Sequence, residues 1–189
     1  YSNGDELPTD LSTEEWHGGL YGAYIIYQGS TSNLEQYGLL YNFHSCIDDR
    51  GLCPVGWHVP SDEEFKAAEV SLGMPEYEAN SVGWRGIDQG LEMKSSNVDL
   101  PSWDGVNSSG FSALPGGATY YTGVSQPIDP ALDHPMYTQA AFWTSTYAGG
   151  DNAIYRGFYS ENDKIYRSVT ANGYSYDSGM SVRCIKDAE

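Results

Sequence analysis

The sequence predicts an α+β domain built from short antiparallel strands, one or two helices and long loops. Three observations predict it. Twenty-two Gly and nine Pro in 189 residues interrupt any long element. Only one stretch carries a full set of helix start and stop signals. Several runs rich in Tyr, Val, Ile and Phe, bounded by turn residues, read as strands.

The elements follow in chain order. Residues 1–18 are polar and acidic, with Pro8 and Gly18-Gly19, and read as an arm. Leu20–Gln28 is aromatic and β-branched and reads as a strand, Gly29–Asn33 as a turn, and Tyr37–Phe43 as a second strand. The helix runs from Asp62 to about Leu72. Ser61 and Glu64 form a capping box, three acids suit the helix start, Phe65, Ala68 and Leu72 share a face, and Gly73 ends it. A second short helix falls at Leu91–Lys94. Residues 97–133 read as loop. Strands return at Ala140–Ser145, Ile154–Tyr159, Lys164–Val169 and Ser181–Ile185, with Ser160–Asp163 as a hairpin loop. The domain reading is an acidic arm with one strand at 1–36, then a ligand-binding domain at 37–187.

Charge excludes several partners. The net charge is −17, and residues 1–49 hold no Lys or Arg. A nucleic-acid binder needs a basic footprint, so no nucleic acid is expected. No apolar run reaches the roughly 20 residues of a spanning helix, so no membrane insertion is expected. No signal-peptide pattern stands at Tyr1, and a trimmed chain would show none.

Composition points to one segment. Between Tyr147 and Ser178, twenty of thirty-two residues are Tyr, Ser, Asn, Gly or Asp, and six are Tyr. Tyr supplies wide amphipathic contact at low rotamer cost, and the small polar residues supply adaptable hydrogen bonds. Strand alternation places Ile154, Arg156 and Phe158 on one face and Tyr155, Gly157 and Tyr159 on the other. In the second arm Ile165, Arg167 and Val169 oppose Lys164, Tyr166 and Ser168. The first face should pack inward, its arginines finding carboxylates; the second should be wet. The candidate ligand-binding residues are Tyr147, Asp151, Asn152, Tyr155, Gly157, Tyr159, Tyr166, Ser168, Asn172, Tyr174, Tyr176 and Asp177.

Four blocks together resemble one family. They are Tyr37-Gly38-Leu39-Leu40-Tyr41-Asn42, the stretch Arg50–Asp62 (RGLCPVGWHVPSD), Ser109–Gly117 (SGFSALPGG) and Ser181–Asp187 (SVRCIKD). Phe142-Trp143-Thr144-Ser145-Thr146 fits as well. The chain is similar over about 37–187 to the Fibrobacter succinogenes major paralogous domain family. That resemblance implies a C-type lectin-like fold. It also implies kinship with variable proteins of diversity-generating retroelements, in which Asn codons become Tyr, Ser, Asp, Gly or Ala near the C-terminus. Residues 147–178 resemble such a variable segment. Gly157, Tyr159, Tyr166 and Ser168 fall where the family commonly has Asn.

The resemblance further implies a disulfide between Cys53 and Cys184, worth about 3 to 5 kcal/mol by loop entropy; the rival pairing is Cys46 with Cys53. It implies an extracellular, cell-surface or virion-surface setting. The chain lacks the Glu-Pro-Asn, Gln-Pro-Asp and Trp-Asn-Asp triplets of calcium-bridged sugar sites. It also lacks the C-terminal cysteine pair of the formylglycine-generating enzymes.

Other chemistry has little support in the residues. Zinc needs about four N or S ligands, and Cys53 with His58 has no second pair at ligand spacing; His58 reads as a packed scaffold residue. A structural calcium stays open on Asp48, Asp49, Asp129 and Asp133. No cofactor is expected otherwise. No elbow, phosphate loop or HExxH pattern is present. The expectation is a non-enzymatic module, an adhesin or receptor-binding domain that meets a protein or glycan on another surface. The alternatives are a glycan-active enzyme or a generic carbohydrate-binding domain of the same fold.

Overall fold

The computed structural model describes residues 1–119, 138–150, 152–168 and 178–188. Within them lie six α-helical segments and eight strands, several only two residues long. The α+β reading therefore stands, but the helices outnumber the one or two expected.

The first 36 residues carry helical segments as well as one strand. Helix α1 (Thr13–Gly18) starts at a capping box in which Ser12 and Glu15 bond reciprocally, and it carries Trp16, which is 1% exposed. The run 20–28 forms less strand than expected: β1 is Tyr24–Ile25, followed by a 3-10 turn at Tyr27–Gly29. The turn expected at 29–33 is instead the start of helix α2 (Thr31–Tyr37). Gly38, at φ 80°, ends it in the left-handed region. Strand β2 (Leu40–Tyr41) then pairs antiparallel with β1, Tyr24 facing Tyr41. Helix α3 (Phe43–Ile47) is capped by Asn42, whose Oδ1 accepts from the backbone of Ser45 and of Ala23.

Strand β3 (Trp57–His58) precedes helix α4 (Asp62–Ser71), which has the capping box and boundaries read from the sequence. Helix α5 (Glu76–Ala79), strand β4 (Gly83–Arg85) and helix α6 (Gln89–Met93) follow. Strands β5 (Gln139–Gly149), β6 (Asn152–Tyr159) and β7 (Ile165–Ser168) come next, and β8 (Ile185–Lys186) closes against β3.

The central sheet is antiparallel, in the order β4-β7-β6-β5. Both of its faces are covered for part of their length. Phe65 of α4, Met74, Met93, Trp103 and Phe111 pack against Phe142, Phe158 and Ile165 on what we call the inner face. Phe43 of α3, Cys53, Val59 and Met180 pack against Trp143 and Tyr155 on the outer face. Phe43 meets Trp143 edge to face at 5.5 Å. The Trp143 indole N–H donates to Tyr41 O at 2.8 Å, which ties β5 to β2.

Cys53 and Cys184 form a disulfide across 131 residues. The rival pairing with Cys46 is not made: Cys46 is a free, buried thiol whose burial pushes its pKa well up.

Candidate functional site

The inner face of the sheet is built from charge as well as apolar packing. Alternation sends Arg85, Arg156 and Arg167 under α4, where Asp62 and Glu69 point down. Arg85 holds Glu69 through two bonds of 2.8 and 2.7 Å. Arg156 spans Glu69 at 2.7 Å and Asp62 at 2.8 Å, and Arg167 Nε donates to the same Asp62 oxygen at 2.8 Å. Arg85, Arg156 and Glu69 side chains are 0% exposed. Burial alone would raise the Asp62 pKa; the Arg167 and Arg156 guanidiniums hold it well below the usual carboxylate range. The reading that Arg156 and Arg167 face inward and find carboxylates therefore holds.

The outer face differs from the wet surface expected of it. Tyr155 is 4% exposed, its ring packed on Trp143 and Tyr166, both with centroids at 6.2 Å. Gly157 and Ser168 are buried as well. The physical reason is long-range: α3 and the disulfide-linked segments lie over this half of the sheet, and strand periodicity carries no information about them.

The uncovered half presents a different group of rings. Trp84 of β4 stands opposite Tyr166 of β7 and is 42% exposed. It packs edge to face on Tyr166 at 5.2 Å and on Tyr159 of β6 at 5.0 Å. Gly157 leaves the space these rings occupy. A Cβ there would lie 3.0 Å from Cε2 of Tyr159 and 3.3 Å from Cβ of Tyr166. The result is a three-ring aromatic shelf on rigid strands. Sequence reasoning found Tyr159 and Tyr166 but missed Trp84, because the β4–β7 pairing spans some eighty residues and leaves no local signal.

Tyr147 and Asn152 lie elsewhere, at the far end of β5 and β6. Six residues along a strand separate Ala153, the partner of Tyr147, from Tyr159, about 20 Å. Tyr147 is exposed; its hydroxyl donates to Gly150 O at 2.9 Å, while the Asn152 amide donates to Gly149 O at 3.0 Å. Both brace a turn whose Gly149 and Gly150 sit at φ 94° and 61°. Asp151, Asn172, Tyr174, Tyr176 and Asp177 lie outside the described residues, as do Val169, Asp129 and Asp133.

His58 is not a packed scaffold residue. Its side chain is 40% exposed and sits between two carboxylates, Nδ1 at 2.6 Å from Asp187 Oδ1 and Nε2 at 2.8 Å from Glu64 Oε1. Asp187 first and Glu64 second raise its pKa. Asp48 is taken up by Arg50 at 2.8 Å. Among the described residues no three His, Cys, Asp or Glu side chains gather as a metal ion would need.

Residues 1–186 match the family described as the Fibrobacter succinogenes major domain, and the chain belongs to that family. The match begins well before residue 37, in keeping with an N-terminal segment that packs on the rest. No curated protein and no solved structure matches the chain.

Proposed function

We propose that this member of the family is a non-enzymatic recognition module of C-type lectin-like fold, presenting an aromatic surface to a protein or glycan on another surface. The observation that carries the reading is the shelf of Trp84, Tyr159 and Tyr166. Each ring is fixed by a neighbour before any ligand arrives, so contact costs little side-chain entropy. Beneath it the hairpin of β6 and β7 is anchored by the buried ion pairs, so substitutions on the shelf need not disturb the frame.

The module acts as an adhesin or receptor-binding domain outside the cytosol, where its disulfide persists. It is a variable protein of a diversity-generating retroelement, with 147–178 as the diversified stretch. Of the described candidates, Tyr147, Asn152 and Tyr159 are open enough to change without repacking a core, while Tyr166 also packs on Tyr155.

The test pairs function with fold. Trp84→Ala, Tyr159→Ala and Tyr166→Ala variants are applied to glycan arrays and to intact cell surfaces, with thermal unfolding as control. Loss of binding with the melting transition preserved supports the reading; unchanged binding by all three removes it. The retroelement part is tested separately, at the locus. It requires a reverse transcriptase gene and a near-repeat of the coding segment that differs at adenines.

A further inference from the structure

Arginine is used consistently in this chain, with one exception. Arg50 pairs with Asp48 and Asp5, Arg85 with Glu69, Arg156 with Asp62 and Glu69, and Arg167 with Asp62. Arg183 pairs with no carboxylate among the described residues. Its Nη2 donates to Ser112 O at 3.0 Å, its guanidinium lies 5.4 Å from the centre of the Phe111 ring, and its Nε is buried with no partner. Burial pushes its pKa down. A guanidinium withdrawn from water without a counterion is costly. In a chain of net charge −17 carboxylates are plentiful, yet among the described residues none pairs with this arginine.

Arg183 also borders a recess of about 370 Å³. Leu34, Leu39, Leu114 and Val182 give the apolar part of its lining, and Gln36 and Ser181 stand among the polar part. The Glu35 carboxylate stands exposed at the same recess and does not pair with the arginine. A hollow of this size, about half apolar, with one cation at its border can accommodate a small ligand that has both an apolar body and a charged group.

We propose that Arg183 and this recess form a second binding site, for a carboxylate with an apolar body. The planar fork of the guanidinium matches a carboxylate in two parallel bonds. A phosphate dianion would bring excess charge that one cation cannot balance in so acidic a chain. The carboxylate is either a free small acid or the C-terminus of a peptide. The site does not depend on the aromatic shelf, and Trp84→Ala leaves it intact.

The experiment uses amide-resolved NMR titration of the whole chain. One pair of probes is phenylpropionate and its amide; the other is a Phe-terminated tripeptide with a free or an amidated C-terminus. The acids bind at least about tenfold more tightly than their amides, the value of a charge-assisted bond. Arg183→Gln abolishes that discrimination. Leu34→Trp, which fills the recess from α2 and leaves the arginine in place, weakens all four probes. Tighter binding of the tripeptide acid identifies a peptide terminus as the source, and tighter binding of phenylpropionate a free acid. Equal binding of acid and amide, no response to any probe at millimolar concentration, or acid binding that survives Leu34→Trp overturns the proposal.

Discussion

The two faces of the central sheet are made from the same strands, yet they are closed by opposite means. On the inner face three arginines and two carboxylates interlock beneath α4, each group desolvated and each dependent on its partners. On the outer face apolar rings and the Cys53–Cys184 disulfide cover Tyr155 and Trp143; Tyr166 lies at the edge of that cover, half-buried, and Trp84 beyond it is exposed. A face locked by buried charge tolerates little change, because each removal strands a charge. A face of partly exposed rings over that locked base tolerates much more. The frame and the proposed contact surface are thus two sides of one hairpin, separated by the thickness of a single sheet.

The largest effect expected from this contrast is at the disulfide. Replacing Cys53 and Cys184 with Ala releases a loop of 131 residues and lowers stability by about 5 kcal/mol in chemical denaturation, by the loop-entropy relation. The outer cover should loosen first, so amide exchange should rise at Phe43 and Tyr155 before Phe65. Next comes the inner network. Glu69→Ala leaves Arg85 without its carboxylate and costs about 4 kcal/mol in denaturant titration. A cost under 1 kcal/mol would mean that the network is not a lock.

A third comparison stays within the outer face. Tyr155→Ala opens a cavity in the covered half and costs about 3 kcal/mol. Trp84→Ala, on the uncovered half, costs about 1 kcal/mol or less. Equal losses in their melting curves would erase the distinction between covered and open halves.

The smallest effect is pH-dependent. His58 binds its proton more tightly in the folded state than in the unfolded chain. Its contribution is therefore complete below about pH 6.5 and fades as pH rises through the raised folded value. Because the ring is 40% exposed, the gain is under about 1 kcal/mol. Asp62 runs the other way: its depressed pKa stabilises the fold above the usual carboxylate range, and that is lost as pH falls through the depressed value. His58→Gln flattens the neutral limb of the stability curve and spares the acid limb, which stability measurements across pH will resolve.

Legibility in the sequence followed the range of the interactions. Helix α4 was readable to within a residue because Ser61, Glu64 and Gly73 act within a few positions of one another. Ser12 and Glu15 carry the same capping signature, yet Gly18-Gly19 close behind made the stretch read as an arm. Helix α2 gives almost no signal: Ser30 makes no side-chain cap, and Asn33 is the residue it buries. The run 20–28 has strand composition, but only Tyr24 and Ile25 find a partner to pair with. The Arg156 and Arg167 pairings were foreseen in kind, though which carboxylates would meet them was not.

By itself the sequence determined the α+β class, the main helix and its cap, the parity of the hairpin strands and the inward course of Arg156 and Arg167. These depend on backbone period and on neighbours a few residues away. Only the tertiary structure decided that Tyr155 would be buried beside Trp143, that Trp84 would join Tyr159 and Tyr166, and that Arg183 would find no carboxylate among the described residues. Those outcomes depend on which distant segments come to lie over a face. Desolvation is fixed by that covering, whatever the local order of residues.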